Sequence, residues 1–384
     1  MQLNQYYTSK LCSDRLVDSL SVATPKVALD LGFGAGDLLR AAKRRWTDIN
    51  LVGVDLDRVN VLNARLDNEI DAIHMNGFSP DLPKVISDKY GDIDLLISNP
   101  PYFSVEVNSK CRKILKEAGL SQCISQSLKK VPAELIFLAQ NLRMLTANGE
   151  MGIILPAGLI SGERWKPLRE YLFCTYGVSN IIQMPENSFK KTDAQTFIMT
   201  ISGKKSDYVN SINLSHILES KKLKISISDA VNRADYLYYK QLSLLINQNT
   251  ISSNDFRIFR GNRVHKCLKD WGGDYLHTSD LPNSPIHTVF PVAEYGDANS
   301  VKKGDIALAR VGRRCLGRAV YVDEGCIPVS DCIIVIRPRD KNIGKLIWER
   351  ISSQLAADYF RATSLGVGAK YLTHTSVREF LVKK

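Results

Sequence analysis

Residues 27–39 read VALDLGFGAGDLL. The run VALDL fits a strand buried on both faces, with the acid Asp30 near its end. Gly32, Gly34 and Gly36 follow, and a helical pattern opens directly after them. Glycines at such a junction permit a tight strand-to-helix turn and let a ligand approach the backbone amides closely. Outward from this unit the same alternation continues. INLVGVD (49–55), IDLLISN (93–99), GEMGIILP (149–156), VSNIIQMP (178–185) and QTFIMTISG (195–203) read as further strands. Between them GDLLRAAKRRW (36–46), DRVNVLNARLDN (57–68) and PAELIFLAQNLRMLTANG (132–149) read as helices, the last with Gly149 as its stop. The order predicts an α/β fold, a Rossmann-like, mostly parallel, doubly wound sheet.

Asp55 closes the second strand about 20 residues after the glycine turn, where an acid can accept both ribose hydroxyls of a nucleoside cofactor. Those two features alone leave NAD open. The spacing Gly32-x-Gly34-x-Gly36 lacks the third glycine of GxGxxG, which argues against a dinucleotide.

IDLLISNPPYF (93–103) then ends a buried strand on an amide, two prolines and a tyrosine. Ligands of doubly wound sheets bind at the carboxyl ends of the strands. An exocyclic or amide –NH2 is a poor nucleophile, because its lone pair is delocalised into a ring or carbonyl. Two acceptors aimed at its hydrogens, the Asn99 side-chain oxygen and the Pro100 carbonyl, would draw it towards sp³ character and free that pair. Pro100 and Pro101 hold the carbonyl in one direction, so the acceptors are preorganised. Tyr102 offers a flat face for a planar substrate.

The series DLGFGAG…VGVD…NPPY resembles the S-adenosylmethionine-dependent amino methyltransferases. Its order is similar to that of the γ-class DNA N6-adenine methyltransferases. The resemblance implies S-adenosyl-L-methionine as cofactor and attack of a flipped adenine's amino nitrogen on the sulfonium methyl. It also implies catalysis by Asn99, Pro100, Pro101 and Tyr102. QYYTSKLCSDRLVDSL (5–20) resembles the short family motif that closes over the methionine end of the cofactor, with Thr8-Ser9 where family members carry Thr-Pro. In ENSFKKTDAQTFIMTISGKK (186–205), Phe189 matches the aromatic that packs on the other face of the flipped base, opposite Tyr102. IHMNGFS (73–79) departs from the family by placing Asn76 where an aspartate usually binds the cofactor's adenine amino group. The implied cofactor site is Tyr7, Thr8, Asp30, Gly32, Gly34, Gly36, Asp55, Leu56, Asn76, Gly77, Phe78 and Asn99.

Composition bounds the alternatives. The 384 residues suffice for two domains. The apolar runs are shorter than a membrane helix needs and the N-terminus lacks a signal-peptide layout, so a cytoplasmic location without membrane partners is expected. Eight scattered cysteines contain no CxxC pair, and no metal is expected. Of the net charge of +11, residues 221–384 hold 26 Lys+Arg against 16 Asp+Glu, and residues 1–220 hold 25 against 24. Such asymmetry fits a second region that meets a polyanion.

The turn-rich GKKSDYVNS (203–211) suggests a boundary, dividing the chain into a methyltransferase domain, 1–205, and an α+β target-recognition domain, 206–384. Residues 304–338 read as antiparallel strands with glycine turns, and 344–363 as one amphipathic helix. FRGNRVHK (259–266), YLHTSDL (275–281), residues 301–325 and residues 364–382 resemble, in this order, a target-recognition domain of type I specificity subunits. Lys302, Lys303, Arg310, Arg313, Arg314 and Arg318 gather there as candidate contacts to double-stranded DNA. A further basic stretch, SKCRKILKEAG…SLKK (109–130), follows NPPY. No PD…ExK signature is present, so any restriction endonuclease partner is expected on a separate polypeptide. Three other readings compete: a protein-glutamine methyltransferase and an RNA amino methyltransferase, which pose the same chemistry, and a non-enzymatic DNA-binding protein.

Overall fold

A computed structural model of the chain describes residues 8–186, 188–189, 195–204, 210–245, 251–312, 314–366 and 369–382. Tyr7 and Arg313 lie outside them. The chain forms two compact units, Met1–Tyr236 and Leu237–Lys384.

The first unit is built on a nine-stranded sheet. Its strands are β1 (Val27–Leu31), β2 (Asn50–Asp55), β3 (Ile70–His74), β4 (Ile93–Ser98), β7 (Leu145–Pro156), β8 (Gly177–Gln183), β9 (Thr196–Ser202), β10 (Ser211–His216) and β11 (Leu223–Ser226). A separate antiparallel pair, β5 (Ser104–Glu106) and β6 (Lys130–Pro132), lies between β4 and β7 in the chain. The order across the large sheet is β11-β10-β8-β9-β7-β4-β1-β2-β3. β3, β2, β1, β4 and β7 run parallel, whereas β9 inserts antiparallel between β7 and β8. The doubly wound α/β sheet expected from the alternation is present.

Helices α1 (Lys10–Asp18), α2 (Asp37–Arg45), α3 (Arg58–Asp67), α4 (Leu82–Tyr90), α5 (Ser109–Glu117) and α6 (Ala133–Met144) fall before β7 in this unit. Ser9 caps α1, its hydroxyl accepting from the Cys12 amide, so the residue standing in for the family's proline starts a helix. Leu16 and Leu20 from the α1 region then pack into the core with Leu95, Ile97 and Ile154.

Four sequence expectations shift. The boundary at 205 moves to Tyr236, because β10 pairs in parallel with β8 and β11 with β10, extending the same sheet. The helix read to Gly149 ends at Met144, and Gly149 lies inside β7, where Leu145 already pairs with Ile93 of β4. The strand carrying NPPY is fourth in chain order, since β3 precedes it. In the second unit, residues 344–363 form two helices, Lys341–Ile351 and Gln354–Thr363. Ser353 between them caps the second through the Ala356 amide.

The second unit holds a six-stranded sheet of β12 (Phe256–Arg260), β13 (Ile286–Val292), β14 (Ser300–Lys302), β15 (Ile306–Ala309), β16 (Ala319–Pro328) and β17 (Ile333–Pro338). The order is β12-β17-β15-β16-β13, with β14 also on β16, and every pair but β13–β16 is antiparallel. Helices at the C-terminal end pack Ile347, Tyr359, Phe360 and Phe380 against one face. Among the described residues no helix is long and apolar enough to cross a membrane.

Candidate active site

The β1–α2 turn is the floor of the site. Gly32, Gly34 and Gly36 take φ of 76°, 57° and 83°, in the left-handed region that side chains rarely adopt. A Cβ on Gly36 would also lie 2.7 Å from Ile70 Cδ1. Asp55, at the end of β2, clamps this turn from the side. Its Oδ2 accepts from the Gly34 amide at 2.8 Å and from Asn60 Nδ2 at 3.3 Å, and its Oδ1 from the Asp57 amide at 2.7 Å. Oδ1 retains a second lone pair for a ligand hydroxyl.

Asp30 is 1% exposed, and its Oδ1 has no hydrogen-bond partner among the described residues. Burial, then the charges of Asp55 and Asp37, push its carboxyl well above the usual range. A cleft lined by Thr8, Asp30, Gly32, Gly34, Asp37 and Asn99, among others, opens here. Two acids, Asp30 and Asp37, line the cleft, and a positive centre placed beside the unsatisfied Asp30 oxygen would favour its ionised form.

Asn99 stands at the tip of β4, on the same cleft. Its Nδ2 donates to Thr8 Oγ1 at 3.0 Å, and its Oδ1 accepts from the Tyr102 hydroxyl at 3.1 Å. The amide is thus bracketed by two hydroxyls. Pro100 is buried and Pro101 half-buried, so the backbone beside it is held. Tyr102 and Phe189 are neighbours, their ring centroids 6.3 Å apart and their planes at 64°. Phe189 is 2% exposed and packs with the core near Met184 and Ile198. A base inserted between these rings requires them to part and turn parallel.

The loop after β3 closes the other side. The Asn76 oxygen accepts from the Phe78 amide at 2.9 Å, so it folds back on its own turn. Phe78 meets Phe137 edge-on at 5.5 Å and Phe103 at 6.2 Å. Leu56 is exposed, and its carbonyl lies 3.0 Å from His74 Nε2.

α6 contributes residues that sequence reasoning missed. Phe137 packs against both ligand-facing turns: a Cβ on Gly32 would come within 3.3 Å of its ring, and one on Gly77 within 3.0 Å. Gln140 Nε2 donates to the carbonyls of Gly77 and Ser79 at 2.8 and 2.7 Å, fixing that loop. Glu134, one turn before Phe137 on the same helix face, is 4% exposed with Oε2 unpartnered among the described residues. Burial pushes its carboxyl up to about 7. On sequence alone these side chains look like the core face of an amphipathic helix.

The basic candidates of the second unit are not one cluster. Lys302 and Lys303 precede β15, and Arg310, Arg314 and Arg318 follow it, so the strand separates the two groups. Lys303 pairs with Glu324 at 3.4 Å, Arg318 donates to the Leu281 carbonyl at 3.2 Å, and Arg310 lies 5.6 Å from the Tyr371 ring. Lys302 and Arg314 are exposed.

A family profile described as N-6 DNA Methylase matches residues 2–257, more than half of the chain. The chain is 21% identical over 323 residues to the type II methyltransferase M.CvrRI of Paramecium bursaria Chlorella virus XZ-6E, covering 83% of this chain and 75% of that protein. It is 28% identical over 109 residues to ribosomal RNA small subunit methyltransferase A of Mycoplasma mycoides, covering 27% of this chain and 41% of that one. Among solved structures, the type IIG restriction endonuclease BpuSI superposes with a TM-score of 0.53 at 15% identity. That superposition covers 96% of this chain but only 57% of the endonuclease, and it speaks for the fold alone.

Proposed function

The chain belongs to the N-6 DNA methylase family, and on that premise we propose that it methylates the exocyclic N6 of an adenine flipped out of double-stranded DNA, with S-adenosyl-L-methionine as donor. The observation that carries the reading is the Asn99 amide, held between Thr8 and Tyr102 on a cleft shared with the unsatisfied oxygen of Asp30.

The residues fit the donor. Asp30 and Asp37 would face its positive centres, Asp55 Oδ1 a ribose hydroxyl, and Phe78 and Phe137 its adenine ring. When bound, the donor supplies an electrophilic methyl group. The chain does the rest. Asn99 Oδ1 exchanges the Tyr102 hydroxyl for one amino hydrogen of the target base, and the Pro100 carbonyl accepts the other. Both acceptors act on a nitrogen becoming positive, which favours the transition state over the ground state. Tyr102 stacks on the base, and Phe189 takes its second face once the two rings part.

The second unit is proposed to recognise the DNA target, a role supported by its basic balance and by exposed Lys302 and Arg314. The type II methyltransferase among its relatives supports a place in restriction–modification, with an endonuclease as a separate partner. The ribosomal RNA relative keeps RNA as the second reading. Incubation with labelled donor and duplex DNA, RNA or protein separates these. Label entering DNA as N6-methyladenine supports the proposal, and label entering only RNA or protein removes it.

A further inference from the structure

Between the NPPYF loop and α6 the chain inserts residues 104–132, which form β5, α5 and β6. We infer that the outer face of this insertion grips the phosphate backbone of duplex DNA beside the target base. This deepens, and rests on, the DNA methyltransferase reading.

Position comes first. β5 begins one residue after Phe103, and β6 runs straight into α6, which carries Phe137 to the glycine turns of the site. The Ala133 amide donates to the Phe103 carbonyl at 2.8 Å, and the Val107 amide to the Lys129 carbonyl at 2.9 Å, so both ends of the insertion are tied at the rim. Cys111, Ile114 and Leu115 are buried, and α5 packs on α6. The insertion is therefore a folded module with a fixed outer side.

Charge comes second. The insertion holds six Lys+Arg against two Asp+Glu, whereas the rest of the first unit, residues 1–236, holds 23 against 24. The first unit's positive excess thus sits beside NPPY and nowhere else in sum. Lys110, Arg112, Lys113, Lys116, Lys129 and Lys130 are all exposed. Among the described residues, only Lys113 of the six has an ion-pair partner, Glu117 at 3.9 Å, and Glu117 is also taken by Arg143. Unpaired cations on a rigid rim suit a polyanion lying across the site, and each phosphate neutralised releases counterions.

The test uses the full-length chain and a mixed-sequence DNA duplex of about three helical turns. The variant Lys110→Ala/Arg112→Ala/Lys113→Ala/Lys116→Ala touches none of the cofactor or catalytic residues. Duplex affinity is measured from about 50 to 200 mM salt, a range over which counterion release dominates. The slope of log affinity against log salt is expected to become shallower by about 0.9 for each phosphate no longer neutralised, about 2 to 3 in all, with cofactor affinity unchanged. Lys129→Ala/Lys130→Ala, on a strand rather than a helix, is expected to give a smaller change of the same sign. Slopes equal to wild type in both variants overturn the inference. Wild-type transfer of methyl groups to DNA alongside unchanged slopes sinks the insertion's role alone, whereas no transfer to DNA by wild type sinks the underlying reading.

Discussion

Thr8, on the cleft, and Glu134, buried on α6, carry distinct physical loads. Thr8 holds the nitrogen side of the Asn99 amide, so Thr8→Val removes one of the restraints on its orientation. We expect kcat to fall about tenfold, the value of roughly one hydrogen bond, with Thr8→Ser restoring it. Unchanged kcat in Thr8→Val would release Thr8 from that role. Glu134 is a stability matter. Its carboxyl titrates near 7 when folded against 4.5 when unperturbed, so the folded state keeps a proton that the unfolded chain loses between those pH values. Stability should therefore fall as pH rises through that window, by up to about 3 kcal/mol. Glu134→Gln should gain on wild type over the same window. Urea unfolding at pH 5 and 7.5 checks this, and a pH-independent difference contradicts it. The placement of Asp55 and Asn99 at strand ends beside turns, with Tyr102 in the loop that follows, was legible in the sequence. Phe137 and Glu134 were not. A helix buries its core face and its ligand face with the same periodicity, and only the glycines opposite Phe137 reveal which face it serves.

At the scale of elements, the glycine turn separates conformational from steric demands. Gly34 has φ of 57° with nothing within 4 Å of an added Cβ, whereas Gly36 combines φ of 83° with the Ile70 contact. Gly34→Ala should cost about 1 kcal/mol from the backbone alone, and Gly36→Ala measurably more. Equal losses in chemical denaturation would mean that the Ile70 side chain relaxes freely. Strands buried on both faces announced themselves as apolar runs. β3 did not: IDAIH alternates buried and exposed residues at the edge of the sheet, and its polar members mask it. The end of α6 was equally hidden, since Leu145 and Thr146 continue a helical pattern that pairing with β4 overrides. Ser353 shows the reverse, a short polar pair whose capping capacity outweighs the amphipathic stripe on either side.

Across the whole molecule, the charge asymmetry fits two units with different tasks. Its use in binding is testable through the exposed members: Arg314→Ala with Lys302→Ala should flatten the salt dependence of duplex binding by about 1 for each phosphate they neutralise. Arg310 and Arg318 are partly engaged within the unit, and their loss should show more in thermal stability than in the salt slope. The charge asymmetry was visible in composition, but the boundary was not. A turn-rich stretch at 203–211 looks like a linker, yet β10 and β11 return beyond it to complete the first sheet, because strand pairing across the sheet is invisible to local sequence. The most direct measurement is the single-turnover rate of methyl transfer to duplex DNA by Asn99→Ala, alongside its cofactor dissociation constant. A rate lower by at least about a hundredfold is expected, as when a preorganised catalytic hydrogen-bonding group is removed, with cofactor affinity nearly intact. Turnover close to wild type would contradict it.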